Sequence, residues 1–159
     1  MPFEPQDLFN IADYFLDDRV REGRGDRVAL RTQSQTLTYR QVQSLANRFG
    51  NVFRRLGVEP EQRVLIALPD IPEYVGALFG TFKIGAVGVM VNPGLKPEEI
   101  SYFYDYTRAR LAVVHRESLD AFLAARRPGG HLKQILVVGG RSEGLPSFET
   151  EAAQVSDAL

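Results

Sequence analysis

The chain has 159 residues, 44% of them hydrophobic, enough for one domain with a real core and far from the composition of a disordered segment. Lys and Arg number 19 against 20 Asp and Glu, and the formal net charge of -1 gives no field for nucleic acid or an anionic membrane, so a small molecule or another protein is the expected partner. Cysteine is absent, which removes disulfides, thiolate metal sites and a cysteine nucleophile together and fits a reducing interior.

The start, MPFEPQDLFN, is acidic and interrupted by proline, with neither the basic flank nor the apolar stretch of a signal peptide. No apolar run reaches the ~18 to 20 residues of a membrane span, so a soluble cytoplasmic protein is expected. From Asn10, NIADYFLDDRVREG pairs Ile11 with Phe15, and Ala12 with Leu16 and Val20, at helical spacing, and Gly23 and Gly25 end the segment. RVALR and QTLTY around TQSQ predict a short hairpin. Thr38, followed three residues later by Gln41, fits a capping box. It opens a helix over 39–56 with Val42, Leu45, Ala46, Phe49, Phe53 and Leu56 on one face and Gly57 as its stop.

Beyond that helix, RVLIAL, AVGVMV, LAVV and ILVV are continuous apolar runs, the pattern of strands covered on both faces. Their apolar cores begin near Val64, Val87, Leu111 and Ile135, with separations of 23, 24 and 24 residues. Each gap holds one crossover helix and little else, which predicts a parallel sheet. Pro72 and Pro97 stand where a first helical turn tolerates proline, and Gly85 where a helix stops. Gly76, Ala77 and Gly80 share a helix face and are read as close packing on a neighbour. ARRPGG and GGRSEGLP are loops, and Ser147 caps a last helix.

Chemistry-bearing patterns are few. Gly139 and Gly144 have the glycine spacing of a P-loop, but Leu145-Pro146 occupy the Lys-Ser/Thr positions, so no ammonium reaches a phosphate. GRGDRV lacks the third glycine of a dinucleotide fingerprint and precedes its strand. His115, at a strand end, and His131 stand apart from any ligand cluster, and His115 is read as solvated. The pairs Asp17-Asp18 and Glu98-Glu99 are read as solvated helix surface. In YFYDY, Tyr102 and Tyr106 are read as packing against the sheet, with base stacking as the alternative.

Residues 37–93, LTYRQVQSLANRFGNVFRRLGVEPEQRVLIALPDIPEYVGALFGTFKIGAVGVMVNP, resemble the N-terminal region of the adenylate-forming superfamily of acyl- and aryl-CoA synthetases, luciferases and adenylation domains. The carriers are Leu37-Thr38-Tyr39 before a long helix and the Lys83-x-Gly85-Ala86-Val87 strand ending in Asn92-Pro93. NIADYFLDDRVREGRGDRVAL is similar to the opening of benzoate-CoA ligase-type enzymes, whereas Asn92-Pro93-Gly94-Leu95 is nearer general acyl-CoA synthetases.

The resemblance implies an α/β fold, a mostly parallel sheet with helices on both faces, forming the first part of the large N-terminal domain of such an enzyme. Residues 1–159 would then be a single, incomplete α/β unit with the C-terminal domain absent. It implies a parent reaction in which a carboxylate attacks Mg-ATP to give an acyl-adenylate, which passes to CoA. The family's phosphate loop, its aromatic-Gly-x-Thr-Glu motif, its ribose-binding Asp and its mobile-domain Lys have no counterpart here. No catalytic, cofactor-binding or metal residue is therefore assigned, and the 159 residues by themselves are expected to be inactive and to bind ATP, Mg and CoA weakly at best. A homodimer through uncovered apolar surface is expected. The alternatives are a stand-alone interaction module and, more remotely, a nucleotide-binding domain without a standard fingerprint.

Overall fold

A computed structural model describes residues 9–33 and 35–159, so the reading of residues 1–8 as lacking a signal peptide, and the Ser34 position of the hairpin turn, lie outside the described residues. The N-terminal helical segment, residues 11–24, contains two wide turns, Asp13–Asp17 and Val20–Arg24. It buries Ala12 and Leu16, while Ile11 and Phe15 stay exposed. A hairpin follows, β1 (Val28–Arg31) antiparallel to β2 (Thr36–Thr38).

Helix α1 (Tyr39–Arg55) begins as its sequence requires. Thr38 Oγ1 accepts the Gln41 N–H at 3.3 Å, and Gln41 Oε1 accepts the Thr38 N–H at 2.8 Å, so two otherwise orphaned donors are satisfied. Gly57, at a φ of 78°, stops the helix in a conformation that a side chain disfavours.

Four parallel strands come next: β3 (Arg63–Ala67), β4 (Val87–Met90), β5 (Leu111–His115) and β6 (Gln134–Val138), in the spatial order β4-β3-β5-β6. The crossover elements are α2 (Pro72–Lys83), α3 (Pro97–Thr107) and a 3₁₀ turn Arg116–Ser118 with α4 (Leu119–Ala124), and α5 (Phe148–Ala152), capped by Ser147, follows β6. Val64, Ile66, Val113 and Leu136 face α1, α2 and α5, whereas Leu65, Ala112, Val114 and Ile135 face α3 and α4. Odd and even strand positions thus feed two cores, which is why the runs are continuously apolar.

Two sequence expectations need correction. AVGVMV is not covered on both faces: β4 is an edge strand, with Val87 41% and Met90 56% exposed. Composition does not distinguish an edge from a centre, because strand order is a tertiary property. Tyr102 and Tyr106 do not pack on the sheet either. They stack on each other outside it, rings 13° from parallel and 5.4 Å apart, 59% and 74% exposed. The helix turns Ile100, Ser101 and Tyr104 inward instead. The Tyr104 hydroxyl donates to the Phe122 carbonyl at 3.2 Å, and burial raises its pKa above the ordinary phenol value.

The expected close packing on α2 is present. A Cβ on Gly80 would lie 2.8 Å from the Ala46 carbonyl oxygen and 2.9 Å from the Gly50 nitrogen, both backbone atoms of α1. Gly80→Ala would gain ~1 kcal/mol of helix propensity. Forcing two packed helices apart costs about 1 to 3 kcal/mol and should win, because backbone cannot rotate away. A midpoint a few degrees lower in thermal unfolding is expected; a midpoint at or above the parent's would refute the contact.

Candidate functional site

Open parallel sheets bind ligands at the carboxyl ends of their strands, where neighbouring crossovers leave in opposite directions. Here that point lies between β3 and β5. The chain leaves β3 for α2 on one face and leaves β5 for α4 on the other. Asp70 follows β3, Asn92 follows β4, His115 ends β5, and Gly139 and Gly140 follow β6. Beside this end, an open groove of ≈ 820 Å³ runs between the hairpin and the start of α2, lined among others by Arg31, Asp70, Ile71, Tyr74 and Val75. Sequence reading did not single out Asp70 or Arg31; the available signal was an acidic residue between an apolar strand and a helix opening on Pro72.

At His115, Gly139 and Asn92 the polar groups of this rim hold their own loops. His115 Nδ1 accepts the Glu117 N–H at 3.4 Å, and its ring faces Gly139, where a Cβ would come within 2.6 Å of Nε2. The ring is therefore half-buried packing and not the solvated group expected from its strand-end position; its side chain is 19% exposed. His131 lies exposed in the loop before β6, at the opposite end of the sheet. The two histidines cannot act together.

Gly139, the first glycine of the rejected P-loop, adopts a φ of 85°, but its N–H donates to Glu149 Oε1 at 2.8 Å. An amide that a phosphate loop would aim at its ligand is occupied by the chain's own carboxylate. Asn92 Oδ1 accepts the Gly94 N–H at 2.8 Å, so the Asn-Pro turn is closed on itself. Among the described residues no group of three or more His, Cys, Asp or Glu could hold a metal ion. Around Gly139 and Asn92, backbone N–H groups that could meet a phosphate are taken by the chain's own side chains.

The acidic pairs divide. Glu98 and Glu99 are exposed, and Glu99 Oε2 accepts the Lys96 N–H at 2.9 Å at the start of α3. Asp17 departs from the expected solvation: it accepts from Lys83 Nζ at 2.6 Å and from Gln43 Nε2 at 2.8 Å. The Lys83 and Asp17 side chains are only 6% and 16% exposed. A helical surface pattern hid a buried ion pair joining the N-terminal segment to α1 and α2. No described helix is long and apolar enough to cross a membrane.

Comparison with known proteins bears on the whole of this architecture. Residues 16–158 match the family model described as AMP-binding enzyme. The chain is 33% identical over 144 residues to the 3-hydroxybenzoate–CoA/4-hydroxybenzoate–CoA ligase of Thauera aromatica, covering 91% of this chain and 27% of that protein. It is 38% identical to an acetyl-coenzyme A synthetase of Xanthobacter autotrophicus, over 94% of this chain and 26% of that one. Among solved structures, the anthranilate CoA ligase AuaEII, in complex with anthranoyl-AMP, superposes with a TM-score of 0.91 at 33% identity, covering 98% of this chain and 30% of the ligase. The chain thus spans about a quarter to a third of the length of the relatives it matches.

Proposed function

Because the chain belongs to the AMP-binding enzyme family, we propose that it is the opening part of the large domain of an aryl-acid CoA ligase, which activates a carboxylate with ATP and passes the acyl group to CoA. The observation that carries this reading is the agreement of fold and sequence over nearly the whole chain with ligases of hydroxybenzoate and anthranilate. The acetyl-coenzyme A synthetase alignment has higher identity, but it runs over 173 positions for a chain of 159 residues and so requires gaps.

In the proposed enzyme, ATP enters as its magnesium complex and gives an acyl-adenylate and pyrophosphate, and the CoA thiol then displaces AMP. Negative charge developing on phosphate and carbonyl oxygen calls for preorganised cations and N–H donors. Those groups belong to other parts of the enzyme. The present residues contribute scaffold: two apolar cores and a rim on which His115, Asn92 and Glu149 hold their own loops. With no cysteine to oxidise, the chain suits the reducing cytoplasm.

The test is carboxylate-dependent exchange of pyrophosphate into ATP. The isolated 159-residue chain should give none with any acid; exchange by homogeneous material would mean that the chemistry lies within these residues. The product of the whole gene should exchange with benzoate, hydroxybenzoates or anthranilate and form their CoA thioesters. Exchange with acetate or fatty acids alone would overturn the aryl assignment, and exchange with no acid would overturn the ligase reading.

A further inference from the structure

Residues 153–159 leave α5 and run back along α1 as a strap, and α1 holds that strap by its main chain. Asn51 Nδ2 donates to the carbonyls of Ser156 and Ala158, each at 2.9 Å, and Asn47 Nδ2 donates to the Asp157 carbonyl at 2.7 Å. Two side-chain amides thus engage three successive carbonyls. The Ala158 N–H donates to Ser156 Oγ at 3.0 Å, which closes the turn locally. Further contacts flank it: Ser44 Oγ donates to Asp157 Oδ2 at 3.1 Å, and Arg55 Nη2 to Gln154 Oε1 at 2.7 Å. Ser44, Asn47, Asn51 and Arg55 follow one another at three- and four-residue spacing, so they form a single stripe of α1. The side chains of Ser156, Asp157 and Ala158 are exposed, and Val155 alone reaches the first core.

Asn47 is 7% exposed, and its Oδ1 is buried without a partner among the described residues. An apolar residue would avoid that cost, so what the amide contributes at this position is its Nδ2 bond to the strap. Gly50, next to Asn51, leaves a notch: a Cβ there would lie 2.6 Å from Leu159 Cδ2 and 3.2 Å from Ile84 Cγ2. We propose that Asn47 and Asn51 form a receptor for main chain, which holds the turn 156–158 by its carbonyls whatever side chains the turn carries. Carbonyls are common to every residue, so Ser156 and Ala158 are replaceable in this contact and Asn51 is not. A strap fastened by polar bonds, with one half-buried apolar side chain, opens as a local unit while both cores stay closed. The inference stands independently of the ligase reading.

One measurement needs no substitution. Both Nδ2 hydrogens of Asn51 are bonded, whereas the exposed Asn92 amide is engaged through Oδ1. By NMR, the Asn51 side-chain amide should exchange with solvent at least about tenfold more slowly than that of Asn92. A second measurement uses an endoproteinase that cuts before aspartate, which reaches the Ser156–Asp157 bond when the strap opens. Asn51→Asp keeps the size of the side chain but sets a carboxylate against two carbonyl oxygens. Losing two hydrogen bonds favours opening about thirtyfold, and cleavage should accelerate in proportion. Ala158→Gln, at an exposed strap position, should be cut at the parent's rate. Cleavage before Asp120, inside α4, reports global unfolding and should not accelerate. Equal exchange at Asn51 and Asn92 overturns the proposal. So does an Asn51→Asp strap cut no faster than the parent's, or an Ala158→Gln strap cut as fast as that of Asn51→Asp. If Asn51→Asp opens the Asp120 site as well, amide exchange in the parent decides.

Discussion

Leu65→Asp is expected to abolish cooperative folding. Leu65 is fully buried in β3, between Val89 of β4 and Ala112 of β5, and packs in the core built by α3 and α4. Truncating a buried leucine costs about 2 to 5 kcal/mol, and the substitution also strands a carboxylate without a hydrogen-bonding partner in an apolar layer. Together these approach the whole stability of a typical domain, ~5 to 15 kcal/mol. Circular dichroism at 25 °C should show a largely unfolded chain with no thermal transition. Val89→Asp, at a half-buried edge position, should be milder and leave a cooperative transition at lower temperature. A Leu65→Asp variant that melts with the parent would refute the central placement of β3.

The second large effect is expected at the Asp17–Lys83 pair. Asp17→Ala leaves a lysine ammonium, 6% exposed, without its counter-ion, and breaking such a pair from one side costs about 3 to 5 kcal/mol. At roughly 2 to 4 °C per kcal/mol for a chain of this size, the midpoint should fall by about 6 to 20 °C. Asp17→Leu combined with Lys83→Met should recover most of the loss, because replacing both charges by apolar groups of similar volume is often neutral or stabilising. A double-mutant cycle from thermal or urea melts measures the coupling directly. If Asp17→Ala alone lies within about 0.5 kcal/mol of the parent, the pair behaves as an ordinary surface ion pair and the clamp does not exist.

Much of the fold was legible because its signals are local. The Thr38–Gln41 box, the proline at the start of α2 and α3, and the glycine after α1 act within a turn of the chain. The spacing of the four apolar runs reported the parallel crossovers, since a helix returning to the same end of a sheet needs a nearly fixed length of chain. The small face of α2 was legible for a related reason: glycines at helical spacing leave a flat surface, and α1 occupies it. At the rim, Leu145-Pro146 in the Lys-Ser/Thr positions counted against Gly139 as a phosphate loop. The sequence held no sign that Glu149 would take its amide.

What the sequence determined by itself is therefore the set of elements, their order and the packed faces of α1 and α2, because hydrophobic period, caps and turn residues are properties of short segments. Tertiary structure alone decided which strand lies at an edge, which side of α3 faces out, and that an acidic pair reading as solvated surface holds one half of a buried ion pair. Val87 and Met90 look as apolar as the residues of β3, yet β3 has strands on both sides and β4 on one. Asp17 looks as polar as Asp18, yet Lys83, sixty-six positions away, meets it in a nearly dry contact. Burial and pairing of that kind depend on which segments meet in space, and a hydrophobic pattern fixes the face of an element without fixing its neighbour.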